Sequence, residues 1–313
     1  MRIVFCGNAF SDMPEYLVQA LGGDHEVLVW DGNLERMPTN IDVLIPRAIR
    51  IGAAEMERGC VRFIQQFGVG LDVVDIAAAQ ARGIPVANVP GTGANADSVA
   101  EHALLLLLML LRQTNSAQRS IRSGILGAPT GRTLAGQTVC LYGLGAVAQS
   151  IAKRIKAFDV RLVGLTRNPG PIRSRQFLLD QCYSRERAQA CLSQSDILMM
   201  CVRHTPETTG LVGEKELRWL RPGALVINIA RGGLIHREGL EKCLGDRHLG
   251  GVGLDVYWSE PVDPQDPLLR LPNVVATPHI AGITDASLTE IAEVVAANIV
   301  QFEIGGRLQH IVA

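Results

Sequence analysis

The chain has 313 residues, more than one hydrophobic core usually serves, so two domains are expected. Its 30 Lys and Arg nearly cancel 31 Asp and Glu, and no basic run or charged tail argues for nucleic acid or a docking arm. The seven cysteines are scattered without a CxxC pair, which argues against a disulfide framework and for a reduced, cytoplasmic protein.

The first residues, Met1-Arg-Ile-Val-Phe-Cys-Gly7, start directly as a strand and lack the apolar stretch and cleavage site of a signal peptide. Short β-branched runs predict strands at 3–6, 27–30, 43–45, 62–66 and 86–88, with helical segments near 14–21, 53–58 and 73–82. Pro90-Gly-Thr-Gly-Ala-Asn-Ala-Asp97 is a turn-rich break, after which Asp97 or Ser98 is expected to cap a helix running to about Arg112. Its apolar run, 103–111, is far short of the ~20 residues that span a bilayer. No membrane association is therefore expected, and the helix should be buried between domains or subunits. A second series begins at Thr138, with strands at 138–142, 161–165, 197–201, 225–229, 251–256 and 274–276. A final helix is predicted over 285–302, stopping at Gly305-Gly306. Strands alternating with helices predict parallel βαβ units, an α/β fold.

Four apolar runs of the second series lead into polar or glycine-rich residues. The first enters Gly143-Leu-Gly145-Ala-Val-Ala148, where Gly143 permits a tight turn and Gly145 lets backbone approach a pyrophosphate. The others precede Arg231, Glu260 and His279. Singly, these are an ordinary helix cap, a surface charge and a structural histidine. Ligands of open α/β sheets, however, bind outside the carboxyl ends of the strands. If the runs share one sheet, a guanidinium, a carboxylate and an imidazole meet beside a dinucleotide loop, which suits hydride transfer to a carbonyl. The following strand ends in Thr166-Arg167 where an NAD-binding unit normally has Asp or Glu. An arginine fork can grip a 2′-phosphate, so NADPH is expected to be preferred over NADH.

Taken together, Gly143-Leu-Gly145, Asn228-Ile-Ala-Arg231-Gly232, Gly253-Leu-Asp255-Val with Glu260-Pro261, and Thr277-Pro-His279-Ile-Ala-Gly282 resemble the D-isomer-specific 2-hydroxyacid dehydrogenases. Phe67-Gly-Val-Gly-Leu-Asp72, Arg82-Gly-Ile-Pro-Val-Ala-Asn88, Val99-Ala-Glu-His102 and Thr205-Pro-Glu-Thr208 extend the resemblance over nearly the whole chain. It implies two Rossmann-like parallel-sheet domains. Residues 1–97 with 285–313 would form a flavodoxin-like substrate domain, and 98–284 an inserted Rossmann dinucleotide-binding domain. The resemblance implies that Arg231 binds the substrate carboxylate and polarises the keto oxygen. It makes His279 the acid in reduction and the base in oxidation, with Glu260 orienting it and favouring the imidazolium. Val69 and Gly70 would hold the other carboxylate oxygen, and Arg47 is similar to an arginine used on extended or phosphorylated substrates. Ala146, Val147, Ala230, Asp255 and Gly282 would join the glycine loop around the cofactor, Asp255 at the nicotinamide carboxamide.

The chain also departs from the family pattern. Arg203-His204-Thr205 stands where many relatives carry Pro-Leu-Thr, so Arg203 is expected as a second wall of a 2′-phosphate site. His236 replaces a commonly acidic residue and has no functional account. No regulatory domain follows residue 313, so feedback control like that of long phosphoglycerate dehydrogenases is not expected. The leading expectation is an NADPH-preferring reductase of glyoxylate, hydroxypyruvate or a related 2-keto acid, acting as a homodimer. The alternatives are a 3-phosphoglycerate-type dehydrogenase and a dinucleotide-sensing interaction protein on the same fold.

Overall fold

Alternating strands and helices build two separate parallel sheets in the computed structural model, which describes every residue except Asp24. In chain order the first elements are β1 (Arg2–Cys6), α1 (Met13–Leu21), β2 (Glu26–Trp30), β3 (Val43–Ile45), α2 (Ala53–Arg58), β4 (Phe63–Gln65), α3 (Ile76–Ala81) and β5 (Val86–Ala87). Two helices follow, α4 (Gly93–Leu111) and α5 (Thr114–Arg122). Then come β6 (Thr138–Tyr142), α6 (Ala146–Ile155), β7 (Arg161–Thr166), α7 (Pro171–Gln176), β8 (Gln181–Ser184), α8 (Ala188–Leu192) and β9 (Ile197–Met200). The chain ends with α9 (Glu214–Trp219), β10 (Ala224–Asn228), α10 (Arg237–Gly245), β11 (Leu249–Leu254), β12 (Val274–Ala276) and α11 (Asp285–Glu303).

One unit comprises Met1–Asn95 with Ile283–Ala313. Its five strands lie in the order β2-β1-β3-β4-β5, all parallel, which is the flavodoxin-like order. The strands read as near-continuous apolar runs because both faces are covered. Phe5, Val43 and Phe63 pack with Leu17 of α1 and Ile291, Val295 and Ile299 of α11, while Val4, Leu44 and Ile64 face a second layer with Met56.

The other unit comprises Ala96–Gly282. Its seven parallel strands run β12-β11-β10-β9-β6-β7-β8. Order reverses between β6 and β9, so this is a Rossmann sheet with its switch point at the end of β6. Alternate residues feed the two faces. Cys140, Val163, Leu198 and Val226 face one core, and Val139, Leu141, Leu162 and Ile227 face the other with Leu106, Leu107 and Ile151. Helix α4 lies close on β11 because that strand carries glycines. A Cβ at Gly253 would stand 3.0 Å from Leu106, and one at Gly251 would stand 3.1 Å from Leu110.

Helix α4 departs from expectation at its start. It begins at Gly93, four residues before Asp97, and neither Asp97 nor Ser98 caps it. The Glu290 carboxylate of α11 accepts the Ala94 N–H at 2.5 Å, a cap supplied from 196 residues away. Gly93 makes room for it, since a Cβ there would lie 2.0 Å from Oε1 of Glu290. Asp97 instead accepts from Ser150 and from Arg154. At 19 residues α4 is long and apolar enough to cross a membrane by length and composition, yet half of it is buried within the protein. Glu290→Ala should lower stability by about 1–2 kcal/mol in urea unfolding, the scale of a lost charged helix cap; an unchanged midpoint would contradict the cap.

Candidate active site

Paired residues Leu165, Tyr142, Met200, Asn228, Leu254 and Ala276 form one row across β7, β6, β9, β10, β11 and β12. The segments leaving that row carry the polar residues singled out from the sequence. After β6, Gly143 takes φ +95° and leaves no space for a side chain, because a Cβ would stand 2.7 Å from the Cys201 carbonyl. At Gly145, the N-cap of α6, nothing lies within 4 Å of a Cβ position. The first amides of α6, at Ala146 and Val147, follow directly, and the loop fits a dinucleotide pyrophosphate. Ala148 is fully buried, as helix–strand packing at that position requires.

Three loops bring Arg231, Glu260 and His279 together. Buried Asn228 accepts from the Ala230 N–H and donates to the Arg231 carbonyl, which shapes the turn carrying Arg231. Gly232 lets this turn press on the next loop, since a Cβ there would lie 2.1 Å from the Tyr257 carbonyl. Trp258 Nε1 donates to the Ile235 carbonyl at 2.7 Å, a second tie between the same loops. Tyr257 Oη donates to the Thr277 carbonyl at 2.9 Å, linking that loop to the one bearing His279. Burial, with the charges of Asp255, Glu260 and Asp266, pushes the Tyr257 phenol up to about 12, so it remains a donor.

Within this frame Nδ1 of His279 lies 2.7 Å from Oε2 of Glu260, and both side chains are about one-third exposed, at 32% and 33%. Glu260 also accepts from the Tyr257 N–H at 3.0 Å. Burial disfavours the Glu260 carboxylate, but the hydrogen bond and charge of His279, the Tyr257 amide and the charge of Arg231 outweigh it and hold its carboxyl below the ordinary value. Its folded form being the more acidic, the pair persists through the usual carboxylate range and is lost only as falling pH protonates Glu260. Arg231 also donates from Nη1 to the Ala230 carbonyl at 2.7 Å.

Asp255 is fully buried, and its carboxylate faces the His279 loop and His102. It accepts from Thr277 Oγ1 at 2.7 Å, Ile280 N at 2.9 Å and Ala281 N at 2.8 Å. Gly282 closes that loop, and Ala230 sits at the turn of Arg231. Thr166 ends β7, and Arg167 follows it exposed. Exposed Glu207 has its carboxyl held below the ordinary value by the Thr205 hydroxyl and, more weakly, by the charge of Arg167. Arg203 is exposed, and its carbonyl accepts from Thr208 Oγ1 at 2.9 Å. The two arginines follow β7 and β9, which flank β6 on either side. Sequence reading missed Arg173, whose Nη1 donates to the Leu144 carbonyl in the glycine loop at 3.3 Å. The Gly170-Pro171 start of α7 was its available signal. His236 is exposed at the N-cap of α10 without a side-chain cap bond.

In the first unit, Arg47 follows β3 and is 7% exposed. Its Nη1 donates to the Ala9 carbonyl at 2.6 Å and to the Phe10 carbonyl at 3.2 Å, and its guanidinium lies 5.1 Å from the Phe5 ring centre. Burial pushes its pKa down, against the nearby Cys6. Its Nε and Nη2 are buried and hydrogen-bond to nothing among the described residues. Val69 and Gly70 lie on the loop after β4, where Asn88 Nδ2 donates to the Val69 carbonyl at 2.9 Å.

A Rossmann sheet with a glycine loop after β6 and an imidazole–carboxylate pair carried by the loops after β11 and β12 has the form of a dinucleotide-dependent oxidoreductase domain. The family profile described as "D-isomer specific 2-hydroxyacid dehydrogenase, NAD binding domain" matches residues 104–281, more than half of the chain. The chain belongs to the D-isomer-specific 2-hydroxyacid dehydrogenase family, as its motifs suggested. It is 32% identical over 311 residues to a glyoxylate reductase of Pyrococcus furiosus, covering 94% of this chain and 90% of that one. It is 32% identical over 292 residues to a D-3-phosphoglycerate dehydrogenase of Archaeoglobus fulgidus, covering 90% of this chain but 51% of the relative. The chain thus spans about half the length of such phosphoglycerate dehydrogenases. An NADPH-dependent glyoxylate/hydroxypyruvate reductase from Sinorhizobium meliloti, solved with NADP and malonate, superposes with TM-score 0.84 at 28% identity over 100% of this chain and 96% of the other.

Gly232→Ala should push the Arg231 turn off the Tyr257 loop and lower stability by about 1–3 kcal/mol through overpacking, read in urea unfolding. An unchanged midpoint would show the close approach is dispensable.

Proposed function

We propose that the protein reduces a small 2-keto acid of the glyoxylate/hydroxypyruvate type to a D-2-hydroxy acid, with NADPH preferred over NADH. The observation that carries the reading is the 2.7 Å contact of His279 Nδ1 with Glu260, formed where the charge of Arg231 is felt. Gly143, Gly145, Ala146 and Val147 would hold the pyrophosphate, and Thr166, Arg167 and Arg203 the adenosine end. Ala230 and Gly282 would border the nicotinamide, and buried Asp255 would shape that wall through the His279 loop. The bound cofactor supplies the hydride. Arg231 pairs with the substrate carboxylate and stabilises negative charge developing on the keto oxygen. His279, fixed by Glu260 through Nδ1, delivers the proton from Nε2 to that oxygen in reduction and recovers it in oxidation.

The unpartnered Nε and Nη2 of Arg47 favour a substrate with an oxygen-bearing side chain, because a buried guanidinium left unpaired is costly. The same observation supports a second reading, a 3-phosphoglycerate-type dehydrogenase. The exposed apolar side chains Leu105, Ile121, Ile125 and Leu126 on and after α4 and α5 support a homodimer. A cytoplasmic location completes the proposal.

A panel of 2-keto acids with both reduced cofactors tests it. Glyoxylate or hydroxypyruvate should turn over faster with NADPH. Arg167→Ala should cut kcat/KM for NADPH about tenfold or more and spare NADH, the scale of a lost charge-assisted contact. Equal efficiency with both cofactors would overturn the preference, and no turnover of any keto acid would overturn the activity. Arg47→Met should weaken hydroxypyruvate more than glyoxylate. Strong turnover of 3-phosphoglycerate with NAD, abolished by Arg47→Met, would favour the second reading.

A further inference from the structure

Helix α4 carries one polar side chain toward the His279 loop. His102 is 11% exposed at its side chain, and its Nε2 lies 2.8 Å from Thr277 Oγ1 and 3.5 Å from Asp255 Oδ1. The direction of the chain follows from donor and acceptor capacity. A carboxylate only accepts, so the Thr277 hydroxyl donates to Asp255 across 2.7 Å. Having spent its proton there, Thr277 Oγ1 accepts from His102, which fixes the hydrogen on Nε2. Asp255 then accepts the consecutive amides of Ile280 and Ala281. The residue immediately before them, His279, holds φ +57°, a left-handed conformation uncommon outside glycine. A left-handed residue persists only where its surroundings over-determine it.

We propose that His102 is a positioning residue: through Thr277 and Asp255 it ties the His279 loop to the buried core helix α4 and keeps the catalytic imidazole aimed at its substrate. This rests on His279 being the proton donor. Burial pushes the His102 imidazole toward its neutral form, with Asp255 opposing, and the neutral Nε2–H tautomer suffices for the chain. Leu104, Leu106 and Leu107 beside it are buried in the core, so the anchor is stiff. The bond from Tyr257 Oη reaches the Thr277 carbonyl and does not touch the Asp255 carboxylate.

The test uses the full-length protein with NADPH and the best keto acid of the panel. His102→Leu removes the donor, whereas His102→Gln keeps an amide N–H near the position of Nε2. His102→Leu should lower kcat about 10- to 100-fold, the cost of roughly an ångström of misplacement. Its KM for the keto acid and its dissociation constant for NADPH, read by cofactor fluorescence, should stay within about twofold, and His102→Gln should recover most of the loss. Thr277→Val should reproduce the kcat defect, and the double variant should be no worse than either single one, because one break already opens the chain. Should His102→Leu fail to fold, the comparison of Thr277→Val with Thr277→Ser decides alone. Wild-type kcat in His102→Leu, or a joint loss of NADPH binding and kcat that glutamine does not repair, would overturn the proposal. Wild-type kcat in His102→Leu beside an inactive His279→Gln defeats this proposal alone, whereas an active His279→Gln defeats the reading beneath it.

Discussion

The contact between the Glu260 carboxylate and Nδ1 of His279 is the interaction on which the rest depends. It joins two loops that leave different strands, and it holds only if both loops are fixed. Backbone proximity at Gly232, the Trp258–Ile235 bond and the Tyr257–Thr277 bond supply that fixation. The pair is also electrically consistent. Its carboxylate is kept ionised against burial by His279, the Tyr257 amide and Arg231, so the charge that steers the imidazole is held more firmly than in an ordinary carboxylate.

The sheet explains why these loops meet at all. Parallel strands in register end together, and the row from Leu165 to Ala276 sets every following loop at one edge. The reversal of order at β6 opens the crevice there, and Gly143 and Gly145 keep it clear of side chains. Glycines elsewhere serve packing: Gly251 and Gly253 bring α4 onto β11, which places His102 beneath the His279 loop. Core and loop are thus parts of one arrangement in which a helix packed for hydrophobic reasons also reaches the His279 loop.

Much of this was legible in the residues. The β-branched runs marked most strands, because strands of a parallel sheet buried on both faces are apolar throughout. The glycine loop, Arg231, Glu260 and His279 stood out because each followed such a run. The edge strand β8 was not legible. Its Gln-Cys-Tyr-Ser sequence buries only Tyr183 and carries no apolar alternation. The start of α4 was hidden because its cap, Glu290, is distant in sequence and local rules see only Asp97 and Ser98. The loop-anchoring contacts of Asp255, 22 to 26 residues apart, and the link from His102, 175 residues apart, were hidden likewise, since such hydrogen bonds leave no local pattern. Arg47 was named by resemblance alone; that two of its nitrogens are buried without partners emerged only in three dimensions.

The central claim is that His279 delivers the proton, with Glu260 holding it in place. Single-turnover reduction of a keto acid by NADPH-loaded wild-type, His279→Gln and Glu260→Gln proteins tests it most directly. The account predicts a loss of about 10²- to 10⁴-fold in His279→Gln, the scale of a missing general acid, and a smaller loss in Glu260→Gln, with NADPH binding kept in both. A His279→Gln protein that turns over at the wild-type rate would contradict it.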